Sequence, residues 1–154
     1  MNESPADYRG FFISYFDLMF YYLIYLSDSS NSNSHHIIQN ILDNVADWNK
    51  ELDISGFLVY RDGNFLQLLE GNKNEVLTLF TKIKKDQRHK NVTLILEDES
   101  ENRIFSDYES GFLVPKNKLV LDKLNNYLFN LKLLENPKIN STISILENIL
   151  AKMY

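Results

Sequence analysis

The chain has 154 residues and a formal net charge of -5, a size that predicts one domain with at most a short appendage. It contains no cysteine, which excludes disulfides, thiolate nucleophiles and cysteine-ligated metals. Its basic residues form no cluster of the kind that binds a phosphate backbone, so we expect no nucleic-acid partner.

The N-terminal segment is strongly apolar. Residues 11–26 read FFISYFDLMFYYLIYL, which is shorter than the roughly 20 apolar residues that a membrane-spanning helix needs. Asp17 lies inside this stretch, and a single Arg precedes it where a signal peptide would carry a basic region. We therefore expect no membrane association and a cytoplasmic location, and we assign residues 1–18 to an N-terminal extension.

The first half of the chain predicts a strand, a helix and a hairpin. Residues 19–27 form an apolar run of strand length. Residues 37–48 repeat apolar side chains at helical spacing, and this helix is predicted to end near Asn49. Two further apolar runs, at 57–60 and 65–70, flank an Asp-Gly dipeptide, which is a strong signal for a β-hairpin.

The second half continues with a helix and two strands. An amphipathic helix is predicted over 76–83 and a strand over 92–96. The acidic residues that follow, between 97 and 101, are typical of an exposed loop. A short final strand, interrupted by a glycine, fits within 104–114. From Pro115 onward, apolar residues again recur at helical spacing.

The order of these elements, β-α-β-β-α-β-β, predicts an α+β fold of the ferredoxin-like kind, with two helices on one face of the sheet. Residues 19–114 would form this domain. Residues 115–154 are too apolar for a free tail, so we expect a helical extension that covers the other sheet face or joins a partner chain. A homo-oligomer is expected for the same reason.

Three polar positions are candidates for a functional site, although each also has an ordinary structural reading. Tyr25 in an apolar strand is usually a core residue with a satisfied hydroxyl. Gln67 lies within an otherwise apolar strand, and burial of an unpaired amide costs roughly 1–3 kcal/mol, so it needs partners or faces solvent. Asn49 could simply be the C-terminal residue of its helix.

Five sequence features together share the residue types and the spacing of one family. They are LIY at 23–25, Asn49, DISGFLVYRDGNFLQLLEG at 53–71, DQRH at 86–89 and RIF at 103–105. Over roughly residues 22–111 the chain resembles the BLUF family of blue-light sensors that use flavin. Tyr25, Asn49 and Gln67 fall where the family's Tyr, Asn and Gln fall, without a gap.

The resemblance implies a site for FAD between the two predicted helices. The isoalloxazine ring would pack on Ile41 and Ile83, and the side-chain amide of Asn49 would hold a flavin carbonyl. Arg88 and His89 would lie near the polar edge of the cofactor or its ribityl chain. Trp48 would pack either on the adenine or in the core, and we expect the core.

The resemblance also implies that Tyr25 lies next to Gln67, and Gln67 next to the flavin. A phenol can give an electron and a proton to an excited flavin and take both back. A glutamine amide carries a donor and an acceptor on one rotatable group, so its reorientation rewires hydrogen bonds without net chemistry. The expected outcome is a signal and no turnover, so the chain is not expected to be an enzyme.

The last strand departs from the family pattern. The family usually has Trp, one residue and then Met after its Arg-x-Phe segment, whereas this chain has Tyr108 and Ser110. These two positions would couple the switch to the rest of the protein. We expect flavin binding and the primary light reaction to survive this change, while the lifetime and the transmission of the signal differ.

Three functions remain open at this point. The first is a stand-alone photoreceptor that signals to an unidentified protein effector. The second is a degenerate, light-insensitive module for flavin binding or protein interaction, which the residues at 108 and 110 motivate. The third is a small ferredoxin-like hydrolase, which is remote because Glu70 has no paired base or nucleophile. Three histidines without cysteine make a poor metal-binding set, so no metal is expected.

Overall fold

A computed structural model describes residues 18–105 and 111–154 of the chain. The predicted residues Tyr108 and Ser110, and nearly all of the N-terminal extension, lie outside the described residues. The described elements are β1 (Phe20–Ser29), α1 (His35–Glu51), β2 (Ser55–Arg61), β3 (Asn64–Gly71), α2 (Lys73–Lys85), β4 (His89–Ser100), β5 (Phe112–Leu113), α3 (Lys118–Lys132) and α4 (Pro137–Met153).

The strands form one sheet in the order β4-β1-β3-β2-β5. The neighbours are antiparallel except β2 and β5, which are parallel. The α+β fold of the ferredoxin-like kind is therefore confirmed. Strands β1 and β3 lie at the centre and are covered on both faces, which explains why their sequences are almost continuously apolar.

The hairpin between β2 and β3 forms at the predicted dipeptide. Asp62 and Gly63 have φ values of 48° and 86°, and Arg61 pairs with Asn64 across the turn. Two central residues with positive φ are characteristic of a type I′ turn, whose twist matches that of the flanking strands. This turn fixes the register of β3, and with it the faces to which its side chains point.

Helices cover both faces of the sheet. On one face α1 and α2 contribute buried side chains such as Ile41 and Phe80. On the other face α3 and α4 contribute Leu124, Leu128 and Leu146. The expectation that the C-terminal segment covers the second face is confirmed. Among the described residues, no helix is long and apolar enough to cross a membrane.

Strand β4 is longer than the sequence predicts. The acidic residues expected in a loop include Glu97, Asp98 and Glu99, which lie within β4. Each has a polar partner from a distant element: the hydroxyl of Tyr21, the ammonium of Lys138 at 2.8 Å and the ammonium of Lys73 at 3.2 Å, respectively. These partners allow an acidic sequence to continue the strand.

The predicted last strand over 104–114 is only partly correct. Ile104 and Phe105 are buried but not in a strand, and β5 contains only Phe112 and Leu113.

The opposite edge of the described sheet is β4. Its pairing with β1 shifts register twice, and Asn91 adopts a positive φ of 53° near one of these shifts. Such bulges increase the local twist of the edge strand.

Candidate functional site

A cavity of about 280 Å³ lies between α1, α2 and the sheet. Its volume is close to the lower end of the roughly 300–1,000 Å³ that is typical of small-molecule sites. All seven predicted site residues within the described part of the chain line it: Tyr25, Ile41, Asn49, Gln67, Ile83, Arg88 and His89. The walls are largely apolar, and the polar groups come from different elements, so folding is needed to assemble the site.

Tyr25 and Gln67 lie directly opposite each other on β1 and β3. The hydroxyl of Tyr25 donates a hydrogen bond to Oε1 of Gln67. Gln67 is 3% exposed, so the reading of this residue as solvent-facing is wrong. Burial raises the pKa of Tyr25 well above its ordinary value, and the charge of Asp86 adds to this effect. The phenol is therefore neutral and remains a donor.

Asn49 lies in the last turn of α1, where its carbonyl accepts hydrogen bonds from the amides of Leu52 and Ile54 at 3.1 and 2.9 Å. The residue is 3% exposed. Its Nδ2 has no hydrogen-bond partner among the described residues. A buried donor without a partner costs roughly 1–3 kcal/mol. The other such atom in the described part, Oδ1 of Asn140, belongs to α4 on the opposite face.

The unpaired donor makes Asn49 suited to a ligand carbonyl. A flavin carries carbonyl acceptors on a planar ring that is otherwise largely apolar. Ile41 and Ile83 supply apolar contacts from the two helices that flank the cavity. The residues present therefore fit a flavin, both in the character of the walls and in the position of an unsatisfied donor.

His89 and Arg88 are each tied to a protein partner. Nδ1 of His89 lies 2.8 Å from Oγ of Ser27, and burial lowers the pKa of His89, which favours the neutral imidazole. Arg88 forms an ion pair with Asp86 at 2.6 Å. The sequence did not predict a role for Ser27, because a hydroxyl at the end of an apolar strand is only a weak signal.

Trp48 does not pack in the core, and that prediction is wrong. Its side chain is 42% exposed and lies on the rim of the cavity beside Asn49. The helical repeat places position 48 on the apolar stripe of α1, but the cavity replaces the packed layer beneath it. Among the described residues, no group of three metal-ligating side chains comes together.

Comparisons with known proteins identify the family of this chain. The family described as sensors of blue light using FAD matches residues 20–111, which is more than half of the chain. The alpha subunit of photoactivated adenylate cyclase from Euglena gracilis is 32% identical over 54% of this chain, but the match covers only 8% of the cyclase. The chain thus spans a small part of that relative.

Two solved structures resemble about four fifths of this chain. The photo-activated state of BlsA is 29% identical, with a TM-score of 0.56, over 80% of this chain and 91% of BlsA. The dark state of BlrB, a BLUF protein, is 24% identical, with a TM-score of 0.58, over 79% of this chain and 89% of BlrB, and supports the fold alone. The chain belongs to the BLUF family, sensors of blue light that use a flavin.

Proposed function

We propose that this chain is a blue-light photoreceptor that binds FAD in the cavity between α1 and α2. Its signal is a rearrangement of the hydrogen bond between Tyr25 and Gln67. The observation that carries the proposal is this buried hydrogen bond, which lies on the wall of the cavity. Asn49, which also lines the cavity, has an unpaired donor. Family membership supplies the expectation that light is the input.

The proposed roles in cofactor binding follow from the lining. Nδ2 of Asn49 donates to a ring carbonyl, which satisfies its hydrogen-bonding potential. Ile41 and Ile83 exclude water from the ring by packing against it. Trp48 and Lys82, at the cavity lining, offer an aromatic surface and a cation for adenine and diphosphate. The aromatic surface of Trp48 supports FAD over a flavin that lacks the adenosine portion, whereas Lys82 would pair with a phosphate of either.

Tyr25 and Gln67 act as a switch because of what each side chain can donate and accept. The bound flavin supplies absorption of blue light and, once excited, strong oxidising power. In the structure the hydroxyl of Tyr25 donates a hydrogen bond to Oε1 of Gln67. If the glutamine amide reorients, its NH₂ group faces Oη and the phenol becomes the acceptor. No product leaves, so we propose a sensor and not an enzyme.

The output is proposed to pass through protein contacts at the C-terminal helices. Phe129, Leu133 and Leu134 at the end of α3 are exposed, Leu134 by 73%. Exposed apolar groups of this kind are common at protein interfaces. The relative from Euglena gracilis is named as a photoactivated cyclase, which supports an effector protein as the recipient. The exposed apolar groups on α3 support a homo-oligomer. We propose a cytoplasmic receptor without a nucleic-acid or membrane partner.

The direct test is the absorption spectrum of the purified chain loaded with FAD. Blue light should shift the flavin band slightly to the red, and the shift should relax in the dark. Gln67→Leu should bind flavin but lose the shift, because leucine can neither donate nor accept. Gln39→Leu is the matched control, since Gln39 on α1 donates a hydrogen bond to Asp43 and does not line the cavity.

Each alternative has its own outcome. A chain that takes up no flavin would contradict the proposal. A chain that binds flavin without a light-induced shift would favour the light-insensitive module motivated by Tyr108 and Ser110. A normal shift in Gln67→Leu would contradict the role assigned to Gln67 while leaving the photoreceptor in place.

A further inference from the structure

Glu70 is a fully buried carboxylate on β3. Its Oε1 accepts hydrogen bonds from Oγ of Ser55 at 2.6 Å and from the amide of Phe105 at 2.9 Å. Its Oε2 accepts a hydrogen bond from the amide of Ile104. A buried carboxylate is stable only when such donors replace water, so Glu70 requires the segment that supplies two of them.

That segment, residues 103–105, is held from the sheet side by more than Glu70. The guanidinium of Arg103 donates to Oγ of Ser55 at 3.0 Å and pairs with Asp53 at 2.8 Å. The ring of Phe105 lies 5.4 Å from that of Phe57 on β2, a distance typical of paired aromatic side chains. The segment is therefore fixed to β2 and β3.

Residues 103–105 are also held from the helix side. The hydroxyl of Tyr127 on α3 donates a hydrogen bond to the carbonyl of Ile104. The ring of Tyr127 lies 5.3 Å from the ring of Phe105. A continuous series of contacts thus runs from Glu70 through Ile104 and Phe105 to α3.

Glu70 stands on the same strand as Gln67 but on the other face. Side chains three residues apart on a strand point to opposite faces, and the two clusters agree: Gln67 lines the cavity beneath α1 and α2, whereas neighbours Leu66 and Leu68 pack with α3 and α4. Any displacement of β3 that accompanies a rearrangement at Gln67 acts on Glu70 through one strand.

We propose that Glu70 is a positioning residue that couples the Gln67 switch to α3 through the backbone of Ile104 and Phe105. The inference rests on the proposed photoreceptor function and concerns how its signal leaves the sheet. Energetic coupling between distant sites is carried by connected packed side chains and hydrogen bonds of this kind.

The role demands a carboxylate. Its two oxygens accept hydrogen bonds from three donors. A glutamine at this position would turn its NH₂ group toward at least one donor, because an amide has only one acceptor oxygen. Glu70→Gln therefore loosens the attachment of residues 103–105 while keeping the volume of the side chain.

The test separates the light reaction from its transmission. The chain has no cysteine, so Asn126→Cys, on an exposed position of α3, carries a single spin label in the full-length, FAD-loaded protein. Blue light should change the mobility of the label in the parent protein. In Glu70→Gln the red shift of the flavin should persist, whereas the response of the label should fall by about five-fold or more.

The controls address folding and specificity. Glu97→Gln makes the same change in a carboxylate on β4 that accepts a hydrogen bond from Tyr21 instead of from the amides of residues 104 and 105, so it should keep the response of the label. Tyr127→Phe removes the hydrogen bond to Ile104 from the other side and should reproduce the loss seen in Glu70→Gln. It also provides the test if Glu70→Gln fails to fold.

The outcomes are distinct. A full label response in Glu70→Gln, or in Tyr127→Phe if the former does not fold, would overturn the inference while leaving the photoreceptor intact. A parent protein that shows no spectral shift would contradict the proposed function, and the inference would fall with it. Loss of the label response with the shift retained supports the coupling role.

Discussion

The two faces of the sheet use polar side chains in opposite ways. On the face beneath α1 and α2, Asn49 brings to the cavity a donor that no described residue satisfies. On the face beneath α3 and α4, Glu70 is surrounded by donors from the protein itself. A buried polar group left unpaired indicates a ligand, whereas one that is fully paired indicates a contact that holds the fold together.

The largest expected effect is on the light-induced spectral shift, and two tyrosines on β1 that point to opposite faces of the sheet test it. Tyr25→Phe should abolish the light-induced shift of bound flavin, because it removes the hydroxyl that donates to Gln67. Tyr22→Phe is the matched control, since its hydroxyl lies 3.1 Å from Oγ1 of Thr142 on the other face. Difference spectra before and after blue light measure both variants. Equal loss in the two would contradict the division between faces.

Glu70→Ala should be the most destabilising of these changes to the apo protein. It leaves the buried amides of Ile104 and Phe105 without acceptors, at roughly 1–3 kcal/mol each. We expect the free energy of unfolding in urea to fall by about 3 kcal/mol. Glu97→Ala, at the partly exposed contact with Tyr21, should cost less than half as much, and a similar loss would contradict the assignment.

Asn49→Ala should weaken flavin binding more than it lowers the stability of the apo chain, unlike Glu70→Ala. The variant removes a donor that is unpaired in the protein alone, so the apo chain should lose little stability. Flavin affinity should fall by about ten-fold, which corresponds to one hydrogen bond of about 1.4 kcal/mol. Titration with FAD measures the affinity, and Asn44→Ala, whose side chain bonds to the carbonyl of Asn40, is the control. Unchanged affinity would show that Asn49 does not contact the ligand.

The smallest effect is a dependence of stability on pH at His89. Burial lowers its pKa in the folded chain, so the unfolded chain takes up a proton first as the pH falls below about 6.5. The contribution of neutral His89 to the free energy of unfolding is complete above that pH. It is lost on acidification, by up to about 1.4 kcal/mol per pH unit. Urea unfolding of His89→Asn between pH 5.5 and 7.5 should show a flatter profile than that of the parent.

Local sequence signals predicted much of the fold. The Asp62-Gly63 turn and the spacing of apolar residues in α1 and α2 are local properties, and they predicted the hairpin and the two helices. The grouping of Gln67 and Asn49 at one site came from the resemblance to the BLUF family, and both residues line the cavity. What the sequence could not supply were partners far apart along the chain. The role of Glu70 is apparent only from the backbone amides 34 and 35 residues later in the chain, which donate hydrogen bonds to its carboxyl group.

The same limitation explains the errors. The acidic end of β4 has a loop-like composition, and only distant partners such as Lys138 and Tyr21 make it a strand. Trp48 follows a helical repeat that predicts burial, but periodicity does not reveal whether a helix stripe faces packed side chains or a cavity. The charge and the apolar spacing of a segment are properties of that segment alone, whereas the burial of its side chains depends also on the element that packs against it.

The register shifts along β4 have a consequence for the behaviour of the chain in a crowded solution. An edge strand twelve residues long, with apolar side chains exposed at Leu94 and Ile95, would otherwise act as a template for aggregation. The two shifts and the positive φ of Asn91 distort this edge, and bulged edges resist intermolecular strand addition. Removal of these distortions would therefore give a more regular hydrogen-bond ladder and a less soluble protein.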